Sequence, residues 1–214
     1  MKLPVHKVKR NARNSRSAFT LIEMIGVLAV IAILASMLIP RVFEAINSAR
    51  VNSTAVACET IKTAAADHYG KYGQFDLLNG TTVYQPGPGN ITNYDVVILM
   101  PENLLDKPFF AQIAGADTNG NSIVQLVRAA TGNFGGPNQK GYSLDGTGTL
   151  ATTNATFVLE AIIKHVSQAD AKDLNDRIDG TALGSLVGTD DLKGRVEYLG
   201  GTAPTDVYVY LTHR

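Results

Sequence analysis

The side chain most out of keeping with its neighbours is Glu23, the sole charge in the 21-residue run Phe19–Ile39, FTLIEMIGVLAVIAILASMLI. A carboxylate in such a setting has one clear use. It pairs with a cation through a charge-assisted hydrogen bond, because leaving it unpaired near a bilayer centre costs about 2.5–3.5 kcal/mol on insertion scales, and less near the edge. A second candidate is Asp117-Thr118-Asn119-Gly120-Asn121, where Asp117, Asn119 and Asn121 set oxygen ligands at alternate positions, as half of a calcium loop does. The full pattern D-x-[DN]-x-[DN]-G-x5-E is not met, since Gly120 falls two places early and no Glu closes the loop. Asp173, Asp176 and Asp179 with Asp190-Asp191 form another oxygen-rich region, whose plainer reading is a solvated helix face and a turn. Cys58 and His68 lie ten apart without further ligands at metal spacing and read as packing or surface residues. No phosphate loop, G-x-S-x-G elbow or H-E-x-x-H pair occurs, and there are only four histidines. The residues therefore point away from an enzyme, and no cofactor is expected, calcium being the one alternative they leave open.

Glu23 must be positioned by the segment around it. The formal net charge of the chain is zero, from 19 basic and 19 acidic residues, but residues 1–18 hold Lys2, Lys7, Lys9, Arg10, Arg13 and Arg16 and no acid. Without them the remainder carries 13 basic and 19 acidic side chains, a net charge of −6. A mildly acidic product has no reason to seek phosphate backbones, so no nucleic acid is expected as a partner. A helix of the length of Phe19–Ile39 spans about 30 Å, the thickness of a bilayer core. The basic residues upstream hold that end in the cytoplasm and send the rest of the chain across.

Three readings compete for this segment. A secretory signal has a shorter apolar core, usually about 7–15 residues, and ends at an A-x-A site. No A-x-A occurs between Val27 and Pro40. A plain anchor fits the length but leaves Glu23 uncompensated. A chain cut just before Phe19 would gain an α-amine beside the apolar run, and that cation can pair with a carboxylate on a neighbouring helix.

The string Ser17-Ala18-Phe19-Thr20-Leu21-Ile22-Glu23-Met24, after a short basic leader and before an unbroken apolar run, resembles the processing site of type IV pilins and type II secretion pseudopilins. In that family a prepilin peptidase cuts between a small residue and Phe and methylates the new amine. The resemblance implies a cut between Ala18 and Phe19, an N-methylated Phe19, and Glu23 as the glutamate that sets register with a neighbouring subunit. Ala18 stands where the family has Gly, and Pro40 where it has its helix-breaking proline. The function implied is that of a structural subunit of a type IV pilus or type II secretion pseudopilus. The alternative is a minor pilin-like subunit whose head acts as an adhesin or ligand-binding module. The partners implied are the prepilin peptidase, other copies of the chain and other pilins in a filament, the inner membrane and an assembly platform. The place implied is the bacterial inner membrane, with the head extracytoplasmic, and then the filament. Some major pseudopilins bind calcium in their globular domain, which is a second motive for considering it here.

Beyond the apolar run, Val42, Ile46, Ala49, Ser53, Ala57, Ile61, Ala64 and His68 recur at the period of one helical face. Tyr69-Gly70 and Tyr72-Gly73 offer a glycine stop. The division is a leader over 1–18 that is removed, a long helix over 19–69 and a globular head over 70–214. Loops are expected at Gln85–Asn90 and Gly132–Pro137. A short helix is expected near Tyr94–Met100, and strands near Ser122–Arg128, Gly141–Leu144, Thr156–Val166, Arg195–Leu199 and Asp206–Thr212. Ser167-Gln168-Ala169-Asp170 has capping-box spacing, so a helix over Gln168–Ile178 should follow, ended by Gly180. The fold class expected is α+β, a long N-terminal helix packed on a C-terminal antiparallel sheet in a pilin-like roll.

Overall fold

The structure, a computed structural model, describes residues 19–78, 81–82, 90–115, 120–128, 134, 141–147, 157–201 and 204–214. The leader, Asp117 and Asn119, and most of the two expected loops lie outside the described residues. The chain divides into two compact units, one ending at Glu44 and one running from Ala45 to Arg214.

Helix α1 is Leu21–Tyr72. In the first unit every residue of it is exposed except the half-buried Ala35. Pro40 lies inside α1, so the break expected there does not interrupt the helix. A proline removes one i to i−4 bond and crowds one carbonyl, and the hydrogen bonds on either side carry the helix past that single gap. At the far end Gly70 is still helical, and the stop falls at Gly73, whose φ of 72° and N–H bond to the Tyr69 carbonyl at 2.7 Å make the left-handed cap.

In the second unit α1 buries Val51, Thr54, Cys58, Ile61, Ala64, Ala65 and His68. The expected stripe is therefore corrected by about one residue of rotation: Ile61, Ala64 and His68 are in it, while Ala49 and Ser53 are exposed. Small residues occupy both sides of this part of the helix, so periodicity alone does not orient it.

Five strands make an antiparallel sheet in the order β3-β4-β5-β7-β6: β3 Ile91–Thr92, β4 Ser122–Arg128, β5 Phe157–Val166, β6 Val196–Tyr198 and β7 Thr205–His213. A separate hairpin pairs β1 Leu77–Leu78 with β2 Thr81–Thr82. Tyr94–Met100 holds a single π-helical turn, Asp95–Leu99. No strand forms at Gly141–Leu144, because Ser143 spends its backbone groups on Glu197 and on the Gly194 N–H instead of a ladder.

One face of the sheet, with Val124, Leu126, Leu159, Ala161, Ile163, Val207, Val209 and Leu211, shares a single core with the buried side of α1 and with Ala171 and Leu174 of helix α2, Gln168–Ile178. The other face carries a smaller cluster of Val127, Val158, Phe134 and Tyr142, with Tyr208 and Tyr210 against it. Helix α2 starts as its sequence requires: the Ser167 hydroxyl accepts the Asp170 N–H at 3.1 Å. The Asp170 carboxylate takes the Ser167 hydroxyl proton at 2.8 Å instead of a backbone N–H, so only half the capping box forms. Gly180, with φ of 83°, follows its end.

Candidate functional site

The chemistry at the start of α1 is local. Thr20 precedes the helix, and its N–H and hydroxyl both donate to Glu23 Oε2 at 2.8 Å. The Glu23 N–H in turn donates to Thr20 Oγ1 at 3.3 Å, and the Met24 N–H reaches the Thr20 carbonyl at 3.3 Å. This is a reciprocal capping box, in which the hydroxyl satisfies one orphan donor of the first turn and the carboxylate another. The position also favours an anion, because the partial positive charge of the helix start sits beside it. Glu23 is thus compensated within its own chain through Oε2. Oε1 has no hydrogen bond among the described residues, so one oxygen is left to receive a second donor. The spacing Thr-x-x-Glu before an apolar run is a known helix-start signal, and it was available to find Thr20 as the partner of Glu23.

Around that box the apolar residues face outward. Phe19 is 82% exposed, and Leu21, Ile22, Val27, Leu28, Ile31, Ile33, Leu34, Met37 and Leu38 are all exposed as well. This helix is long and apolar enough to cross a membrane. Phe19 lies two residues before its start and Glu23 in its first turn, whereas Pro40 is far along it.

The other candidates behave differently. Cys58 is a free, buried thiol, and burial pushes its pKa up to about 12, so it packs and does not react. His68 is fully buried and its Nδ1 meets Glu102 Oε2 at 2.9 Å, a contact that no spacing announces because the two are 34 residues apart. Asn121 is tied into the fold, its side-chain amide donating to the Gly115 carbonyl at 3.1 Å and its backbone carbonyl accepting the Lys164 N–H at 2.7 Å.

The second oxygen-rich region is held by nitrogen donors. Asp191 accepts from the Asn175 amide, from the Ser185 N–H at 2.8 Å and from the Lys193 N–H at 3.3 Å. Asp179 accepts the N–H groups of Arg195 and Val196 at 2.7 and 2.9 Å and faces the Arg195 guanidinium, while burial pushes its pKa up against these donors. Asp176 pairs with Lys172. Among the described residues no three of His, Cys, Asp or Glu stand together to hold a metal ion.

Two hollows mark the second unit. One, of about 560 Å³, is lined by Arg50, Asp95, Phe109, Phe110, Gln112 and neighbours, and Asp95 is occupied by the Phe109 N–H at 2.7 Å. The other, of about 370 Å³, runs along Ala55, Val56, Glu59, Thr60 and Thr63 of α1 beside Arg177 and Arg195. Neither gathers a nucleophile, base and oxyanion donors.

The fold and this N-terminal segment define an α+β protein whose long helix begins in an apolar run of membrane-spanning length with a capped glutamate. Residues 13–39 match the model of the prokaryotic N-terminal methylation motif, so the chain carries the type IV pilin and pseudopilin signal. Proteins with that motif are structural, not enzymatic. No curated protein and no solved structure matches the chain.

Proposed function

We propose that this chain is a structural subunit of a type IV pilus or type II secretion pseudopilus. It is inserted in the inner membrane by α1 with its head extracytoplasmic, cut between Ala18 and Phe19 by prepilin peptidase, N-methylated on Phe19 and assembled with copies of itself and other pilins on an assembly platform. The observation that carries this reading is the capped Glu23 at the head of a long, outward-facing apolar helix that bears the methylation motif.

The physics of assembly follows from that arrangement. Inside a bilayer the exposed aliphatic face has no drive to leave lipid, so extraction requires outside work. Outside it, each Å² of that face packed away from water contributes about 25 cal/mol. The cut places an amine one residue before Thr20, and the open Oε1 of Glu23 is the acceptor for the amine of a neighbouring copy. Two charges that are unpaired in a helix bundle are costly, and pairing them fixes the axial register. Pro40 leaves α1 one backbone hydrogen bond short, which makes it the place where the helix opens as subunits pack.

The test is to express Glu23→Val in the native host and compare the membrane pool with the sheared filament fraction. The expected result is normal insertion with filament incorporation lowered about ten-fold or more, the scale of one charge-assisted hydrogen bond. An unchanged filament yield would count directly against the pairing role.

A further inference from the structure

The outer face of the sheet holds a buried polar row that the filament reading does not use. Gln125 of β4 stands opposite Glu160 of β5, Glu160 opposite Tyr210 of β7, and Tyr208 of β7 opposite Glu197 of β6. Both glutamates are fully buried. Above them runs a strap, residues 141–147, whose Tyr142 hydroxyl donates to Glu160 Oε2 at 2.6 Å and whose Ser143 N–H reaches Glu197 Oε1 at 3.5 Å. The Gln125 amide donates to Glu160 Oε1, so Glu160 accepts on both oxygens, as a carboxylate does. Glu197 differs: its second oxygen, Oε2, is buried without a hydrogen-bond partner among the described residues.

We infer that Glu197 is a proton-gated clamp: the neutral acid tolerates the closed strap, whereas the ionised form reaches water only when the strap lifts and uncovers the aromatic outer face, a gain in hydration that outweighs the single long Ser143 N–H bond to Oε1. The groups that face Glu197 are Glu160 from β5, Asp179 at the end of α2, Asp191, Tyr208 from β7, and Tyr142 and Ser143 from the strap. The guanidinium of Arg195, two residues before it in the chain, is engaged by Asp179 at 3.3 Å and Glu59 at 3.4 Å. A second charge buried beside Glu160 without a cation of its own is costly, and the neutral acid is the form the site accepts. Burial raises the Glu197 pKa from 4.5 to about 8, the neighbouring acids add to this, and the Ser143 N–H opposes it. The folded state therefore holds the proton more tightly than the unfolded chain. The contribution of this one group to stability is full below about pH 4.5, is lost as pH rises from there to about 8, and changes no further above.

The full chain in detergent micelles is melted between pH 5.5 and 9 while its near-ultraviolet circular dichroism is followed. At wavelengths above the phenylalanine bands that signal reports tyrosine packing, since the chain has no Trp. The wild type is expected to lose on the order of 5 °C across this range and Glu197→Gln to lose clearly less, so that the gap between the two widens towards the alkaline end. Parallel profiles overturn the clamp. Should Glu197→Gln fail to fold, difference infrared spectroscopy of the wild type and Glu197→Asp decides: a protonated carboxyl band at pH 6 that disappears by pH 9 in the wild type and moves in the variant supports the proposal, and a band that is absent at pH 6 or unchanged in the variant overturns it.

Discussion

The two parts of α1 share one helical backbone and use it in opposite ways. From Leu21 to Phe43 the apolar side chains are mostly large (Leu, Ile, Val, Met and Phe), and all of these are exposed. From Val51 to His68 the buried positions are mostly small (Thr54, Cys58, Ala64 and Ala65), and they face a sheet. Small side chains let a backbone come close to its partner, whereas large ones cover area against a partner outside the chain. Apolarity alone therefore does not mark the core: the most hydrophobic stretch of this protein is also exposed along its whole length, apart from the half-buried Ala35.

Ile61→Ala attacks the second part, where Ile61 is buried against the sheet, and is expected to cost the head about 2–5 kcal/mol in denaturant unfolding. The matching change in the first part, Ile33→Ala, should leave the melting of the head within about 0.5 kcal/mol of wild type. Equal effects would mean that the two parts are not separate in function. Next in size is Ser167→Ala, which removes the hydroxyl that caps α2 and should lower head stability by about 1 kcal/mol, read as a shift in the denaturant midpoint. Thr20→Val probes the first part more finely. It removes the hydroxyl that donates to Glu23 and keeps the backbone N–H that also donates, so filament incorporation should fall less than in Glu23→Val, while membrane insertion and head stability stay as they are. The smallest effect is expected from Ala18→Gly, which should be processed at least as fast as the native site in a peptidase time course. Slower processing places the cut elsewhere.

Much of this was legible in the sequence because the signals were local. Phe157–Val166 is a nearly continuous apolar run and forms β5, Val207-Tyr208-Val209-Tyr210-Leu211 alternates and forms the body of β7, and Ser167 with Gly180 brackets α2. The motif over residues 13–39 was equally plain. What was not legible depends on distant partners. Tyr142 and Ser143 read as strand residues, yet their groups go to Glu160 and Glu197 across the outer face. His68 shows nothing of Glu102. One signal was present and passed over: Glu160 is the lone acid within the apolar β5, and a buried carboxylate must have donors waiting for it.

The account rests on the cut before Phe19, and the mass of the mature N-terminus from the native host tests it most directly. A terminal peptide beginning at N-methyl-Phe19 is the result expected. A chain that retains Met1–Ala18 would contradict it, since Glu23 would then have no processed amine to receive and α1 would serve as an anchor alone.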